Sequence, residues 1–174
     1  IKFVYQNKPL GTGDAVLKTK KFIKNDYFLM LLPDDLIIKK NCSKSMIKIH
    51  KRFNTSVMAS MNVNRNTVTR WGIYKIKKKI NKKNYLISGV VEKPSINKAP
   101  SNKAVIGRYI LPKSIFLKLS NLKSGKGGEK HITDAIQSLI NDNENFIAHN
   151  FAGKYLDCGS MRGYIKSSLE ISKS

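Results

Sequence analysis

The chain has 174 residues, 33 lysines and arginines against 11 aspartates and glutamates, and a formal net charge of +22. That length allows one domain or most of one, and an apolar share of 41% is enough for a real core. No apolar run approaches the roughly 18 residues of a membrane span, and no signal-peptide pattern opens the chain.

Ile1 to Tyr5 reads as a short strand, Gly11-Thr12-Gly13 as a turn, and Asp14 to Phe22 as a helix with Asp14 complementing its dipole. Tyr27 to Leu32 is nearly continuous in apolar residues, the mark of a buried parallel strand, and Pro33 ends it ahead of Asp34 and Asp35. Helical spacing runs from Lys44 to Phe53, and Ser56 to Val63 alternates like a strand. Strands follow at Arg70 to Ile80, Tyr85 to Val91 and Ala104 to Leu111, the second closed by Lys93-Pro94. Lys113 to Leu119 and Ile132 to Ile140 read as helices, with cap-type residues Thr133-Asp134 opening the second. Phe146 to Phe151 and Lys154 to Leu156 are short strands, and a last helix runs from Met161 to Ile171. Strands alternating with helices predict an α/β fold whose mixed, mainly parallel sheet is flanked by helices.

Two cysteines, Cys42 and Cys158, do not make a disulfide scaffold, so reduced thiols and a cytoplasmic location are expected. The charge is mostly lysine and is spread along the chain. Its densest cluster, Lys75 to Lys83, reads as a solvated strand and hairpin. Arginine interleaved with aromatic residues, the stronger sign of nucleic-acid binding, is absent, so nucleic acid is not the expected partner and no membrane is. His50, His131 and His149 show no ligand spacing.

Two strings carry chemistry: Leu31-Leu32-Pro33-Asp34-Asp35-Leu36 and Tyr155-Leu156-Asp157-Cys158-Gly159-Ser160. Each sets an aspartate at the end of an apolar run, which in an α/β sheet is where ligands bind. Two such carboxylates could hold one Mg²⁺ against a phosphate.

The segment Gln6-Asn7-Lys8-Pro9-Leu10-Gly11-Thr12-Gly13-Asp14-Ala15-Val16-Leu17 resembles a conserved block of the bacterial UTP–glucose-1-phosphate uridylyltransferases. So do Leu32-Pro33-Asp34-Asp35, Gly89-Val90-Val91-Glu92-Lys93-Pro94 and Ala99-Pro100-Ser101-Asn102 through Gly107-Arg108-Tyr109. Gly127-Gly128-Glu129 with Ile132-Thr133-Asp134, and Asp157-Cys158-Gly159 with Gly163-Tyr164, complete the series in family order. Asp14 departs from the histidine often found there. The resemblance implies a Rossmann-like nucleotidyltransferase domain over residues 1–174 that joins UTP and glucose 1-phosphate into UDP-glucose and releases pyrophosphate.

It also implies roles. Asp34 and Asp157 are the expected metal carboxylates, with Asp34 also counted with the nucleotide, and Asp35 is a weaker candidate. Gln6 and Gly11 match positions that read the uracil edge. Glu92 and Lys93 match the sugar-phosphate site, Glu92 for glucose hydroxyls and Lys93 for the phosphate, with Lys93 and Asp34 the expected catalytic pair. Gly72 and Tyr109 match further sugar contacts.

The family's opening strand and Gly-rich triphosphate loop have no counterpart here, and the chain starts at Ile1. A domain incomplete at its N-terminus and lacking its first strand is therefore expected, with a homo-oligomer or a complementing N-terminal fragment as partner. Ser124-Gly125-Lys126-Gly127-Gly128 reads as a surface turn rather than a replacement phosphate cradle. Two other readings stay open: an inactive or split-enzyme fragment of the same fold, and a basic nucleic-acid-binding protein.

Overall fold

The computed structural model describes residues 1–123 and 128–173. Its elements are helix α1 (Thr12–Lys18), strands β1 (Tyr27–Leu31) and β2 (Asp35–Ile38), helix α2 (Cys42–Phe53), and strands β3 (Ser56–Asn62), β4 (Gly72–Lys79), β5 (Asn84–Glu92) and β6 (Lys103–Pro112). Helices α3 (Ile115–Asn121) and α4 (Ile132–Asn141), strands β7 (Phe146–Asn150) and β8 (Lys154–Asp157), and helix α5 (Met161–Ile171) complete the chain. Six strands form one sheet in the order β1-β6-β3-β7-β5-β4, and β2 pairs with β8 in a separate two-stranded ribbon.

The core follows from β3 and β7, whose residues are buried on both faces. On one face Met58, Leu111, Phe146 and Ala148 meet Phe116 and Leu119 of α3 and Ile136 and Leu139 of α4. On the other, Val57, Ala59, Ile106 and Ile110 pack against Cys42 and Met46 of α2. The Asn41 side chain caps α2 by accepting from the Lys44 amide at 2.8 Å, and Asn54 ends it in the left-handed region at φ 45°. Helix α4 starts after His131 with no side-chain cap; Thr133 and Asp134 lie inside its first turn, where Asp134 suits the dipole. Among the described residues no helix is long and apolar enough to cross a membrane.

The sheet is mixed and flanked by helices, as expected, but it is not mainly parallel. Among the described residues only β3–β7 runs parallel; β1–β6, β3–β6, β5–β7, β4–β5 and β4–β6 are antiparallel. The continuous apolar run at β1 marks neither two-faced burial nor direction: the strand lies at the sheet's edge, with Leu29 and Leu31 exposed. The run at β1 lies antiparallel beside β6. Nor do Ile1 to Tyr5 form a strand: no described strand pairs with them, and Ile1, Phe3 and Tyr5 are exposed. A strand needs a ladder for its amides and carbonyls. Ser124 to Gly127 of the expected surface turn lie outside the described residues.

Candidate active site

The ribbon β2–β8 brings the two aspartate strings together. Asp35 faces Asp157 in register, and Ile37 faces Tyr155. Pro33 breaks the ladder after β1, and the chain turns so that the Leu32 amide donates to the Gly107 carbonyl at 2.8 Å. The Cys158 amide donates to the Asp34 carbonyl at 2.8 Å, pinning one string to the other.

Asp34 and Asp157 converge at Gly159. A β-carbon added there would sit 2.9 Å from Asp34 Oδ2 and 3.4 Å from Asp157 Oδ1. Asp157 Oδ1 also accepts from the Gly159 amide at 3.0 Å, while its Oδ2 lies 3.8 Å from the Arg70 guanidinium. Asp35 is spoken for: Oδ2 accepts from the Gly107 amide and Oδ1 from the Tyr155 hydroxyl, each at 2.5 Å. Burial, then the bond to Asp35 and the charges of Asp35, Asp157 and Asp34, push the Tyr155 hydroxyl far up, so Tyr155 is a fixed donor. Asp35 is a tie between β2, β6 and β8, with no oxygen left free of a hydrogen bond.

These carboxylates line a cleft of about 390 Å³ that also takes in Gly72, Glu92, Lys93, Tyr109 and Arg70. Gly72 at the start of β4 is paired with Glu92 at the end of β5. A β-carbon on Gly72 would come within 3.1 Å of Glu92 Oε2, so the glycine makes room for that carboxylate. Lys93 follows in the left-handed region at φ 43°, immediately before Pro94, and its amide donates to the Trp71 carbonyl at 3.0 Å. A residue before proline prefers an extended backbone, so this lysine is held in strain of about 1–3 kcal/mol. Tyr109 is only 4% exposed. Burial, reinforced by Asp35 and Glu92, pushes its hydroxyl far up and keeps it neutral.

Six of the eight residues expected from sequence thus share one cleft. Gln6 and Gly11 do not line it. They meet each other instead: Gln6 Nε2 donates to the Gly11 carbonyl at 3.1 Å and to Asp14 Oδ2 at 2.8 Å, fastening the N-terminal segment to α1. Gly11 has φ 93°, and a β-carbon there would lie 2.7 Å from the Lys130 carbonyl oxygen. Tyr155, Arg70 and Gly107 entered the site unannounced. Their signal was their position, beside Asp157, before the Trp71-Gly72 strand start and within the Ala99–Tyr109 block.

The donor set at Gly159 suits a hard divalent cation, because both ligands are carboxylate oxygens. Among the described residues there is no group of three or more His, Cys, Asp or Glu side chains that could hold a metal, so water and substrate oxygens would complete the shell. Both cysteines are free, and burial pushes the Cys42 thiol up to about 11, which removes it as a nucleophile.

The Nucleotidyl transferase family profile matches residues 1–174. The chain is 36% identical over 171 residues to a putative UTP–glucose-1-phosphate uridylyltransferase of Methanocaldococcus jannaschii, covering 98% of this chain and 59% of that protein. It is 37% identical over 175 residues to UTP–glucose-1-phosphate uridylyltransferase 2 of Streptococcus pyogenes, covering 98% of this chain and 58% of the relative. A crystal structure of UDP-glucose pyrophosphorylase complexed with UDP-glucose superposes with a TM-score of 0.91 at 38% identity, over 99% of this chain and 66% of that one. The chain therefore spans rather more than half the length of these curated relatives, and it belongs to the nucleotidyl transferase family.

Proposed function

We propose that residues 1–174 form the part of a nucleotidyltransferase domain that joins UTP to glucose 1-phosphate, yielding UDP-glucose and pyrophosphate. The observation that carries this is the convergence of Asp34, Asp157, Glu92 and Lys93 on one cleft, in a chain that aligns over nearly its whole length with uridylyltransferases.

In this reading an oxygen of the sugar phosphate attacks the α-phosphorus of UTP in line. One P–O bond forms, the α–β P–O bond breaks, and its electron pair leaves on pyrophosphate. The nucleophile is already an anion, so no strong base is needed; the work is to bring two anions together. Lys93 supplies a positive charge to the sugar phosphate from the wall of the cleft. Glu92 accepts from glucose hydroxyls, Gly72 gives the sugar close approach, and Tyr109 bounds the pocket with a neutral hydroxyl. Asp34 and Asp157 would hold Mg²⁺, which neutralises charge on the phosphates when bound. Gln6 and Gly11 are assigned to the uracil edge, with the Gln6 amide nitrogen already engaged by Gly11 and Asp14.

The exposed apolar side chains of Phe3 and Tyr5, and of Leu29 and Leu31 on β1, favour a companion: a second copy or a complementing segment. The test measures pyrophosphate release with UTP, glucose 1-phosphate and Mg²⁺, and UDP-glucose binding in parallel. Asp34→Ala and Asp157→Ala are each expected to lower turnover about a thousandfold or more. Turnover that survives both substitutions, or UDP-glucose binding indifferent to both, would overturn the assignment.

A further inference from the structure

A second concavity, of about 300 Å³, lies between α2 and the turn joining β4 to β5. Its walls are Lys40, Lys44, Lys48 and Lys83, and Ser45 and His149 form its floor. No acidic residue lines it. Among the described residues none of the four lysine ammonium groups has an ion pair, a hydrogen bond or an aromatic partner. Lys44 and Lys48 stand one helical turn apart, a like-charge pair that destabilises α2 with nothing in the pocket to offset it.

The floor has one well-defined arrangement. Asn84 Nδ2 donates to Asn81 Oδ1 at 3.1 Å, so Asn84 turns its oxygen to His149 Nδ1 at 2.7 Å, and that nitrogen carries hydrogen. His149 Nε2 lies 3.0 Å from Ser45 Oγ, which is also 2.8 Å from the Cys42 carbonyl. With a neutral ring, Ser45 donates to Nε2. With a charged ring, Nε2 donates to Ser45 and the serine hydrogen goes to Cys42. The same heavy-atom positions therefore serve both states. Burial, then the charge of Lys83, hold the ring below its ordinary pKa. An anion among the lysines would reverse the second influence.

We propose that this pocket, with Lys40, Lys44, Lys48 and Lys83 around the Ser45–His149 pair, is a binding site for a compact di- or triphosphate anion. Lysine ammoniums are point charges with three donors each, suited to several phosphate oxygens in a small volume. A nucleic-acid strand would call for a long groove with stacking faces, and no Phe, Tyr or Trp lines this pocket. The free anion and the polyphosphate tail of a nucleotide share this chemistry.

The experiment reads His149 by NMR on histidine-labelled protein, its signal assigned by His149→Gln among only three histidines. Pyrophosphate, UTP and a single-stranded oligonucleotide are titrated separately. Movement of the His149 signal with an upward shift of its titration, caused by pyrophosphate or UTP, supports the site, and the more effective probe identifies the source. Lys44→Gln combined with Lys83→Gln should weaken that binding about tenfold, whereas the exposed pair Lys77→Gln and Lys78→Gln should leave it unchanged. Anion bound only in the Asp34–Asp157 cleft would leave His149 unmoved. A His149 signal indifferent to pyrophosphate and UTP, movement by the oligonucleotide alone, or equal weakening by both lysine pairs would each overturn the proposal.

Discussion

The central strands and the β2–β8 ribbon are held by different forces. β3 and β7 lie under helices on both faces, with Val57, Met58, Ala59, Phe146 and Ala148 at most 0% exposed. In β2 every residue is only half-buried, and in β8 Leu156 alone is buried. The ribbon packs Ile37 and Tyr155 against the α2 layer and is otherwise fixed by polar ties: Asp35 to Gly107 and Tyr155, Leu32 to Gly107, Cys158 to Asp34, and the Arg108 guanidinium to the Leu32 carbonyl at 2.7 Å. The fold rests on apolar burial, and the placement of the candidate catalytic carboxylates rests on a handful of hydrogen bonds. Stability and site geometry should therefore fail separately.

The largest effect should come from the core. Phe146→Ala removes a fully buried ring from under α3 and α4 and is expected to cost about 3–5 kcal/mol in denaturant unfolding. The protein that remains folded should bind divalent metal as the parent does. Loss of metal affinity in the folded fraction would mean the ribbon depends on the core after all.

The converse is Asp35→Ala. It strands the Gly107 amide and the Tyr155 hydroxyl, costing about 1–3 kcal/mol. Its larger consequence is on Asp34 and Asp157, which flank it in sequence and in register. Mn²⁺ affinity read by electron paramagnetic resonance should fall about 10–100-fold. Tyr155→Phe, which frees one Asp35 oxygen, should fall between this and the parent. An Asp35→Ala protein with parental Mn²⁺ affinity would show that the tie is structural only.

The same division explains what the sequence disclosed. Apolar periodicity reports burial, so the strands and helices of the buried layers, from β3 to β7, lie within two or three residues of expectation. α5 matches Met161 to Ile171 throughout. β2 escaped notice because Asp35-Leu36-Ile37-Ile38 is four residues long and opens on a charge, with no two-faced burial to mark it. Strand direction is not legible for the related reason that hydrophobicity carries no sense of direction. Of the site, the residues that lie in compact motifs, such as Asp34, Glu92, Lys93 and Asp157, were legible. Tyr155, Gly107 and Arg70 act through contacts made across the chain, and the separation of 72 positions between Asp35 and Gly107 hides that bond from any local reading.

A smaller effect separates the helix that follows the ribbon from the ribbon itself. Ser160 Oγ accepts from the Gly163 amide at 3.1 Å and caps α5. Ser160→Ala should cost about 1 kcal/mol, and Ser160→Asp, which keeps an acceptor at that position, should restore most of it. Because Asp157 is tied to Gly159 and not to the cap, Mn²⁺ affinity should hardly change. The Ser167 hydroxyl of α5 donates to the Asp157 carbonyl at 3.3 Å, so a large drop would mean that the cap acts on Asp157 through that bond.

The finest test concerns the one titrating group buried in a central strand. His149 on β7 is 6% exposed, faces Ser45 of α2 and Asn84 of β5, and shares its pocket with Lys40, Lys44, Lys48 and Lys83. Its folded pKa lies below the ordinary 6.5, first through burial and then through Lys83. The unfolded chain therefore takes up a proton at a pH where the native ring does not. The stability tied to the neutral ring is present in full above 6.5 and is lost as pH falls from there through the folded value. His149→Gln removes that linkage, so its Tm should fall less steeply than the parent's between about pH 7 and pH 5, whatever its absolute stability. Parallel curves would mean that His149 is as readily protonated in the fold as outside it, and that the central strands tolerate charge as the ribbon does.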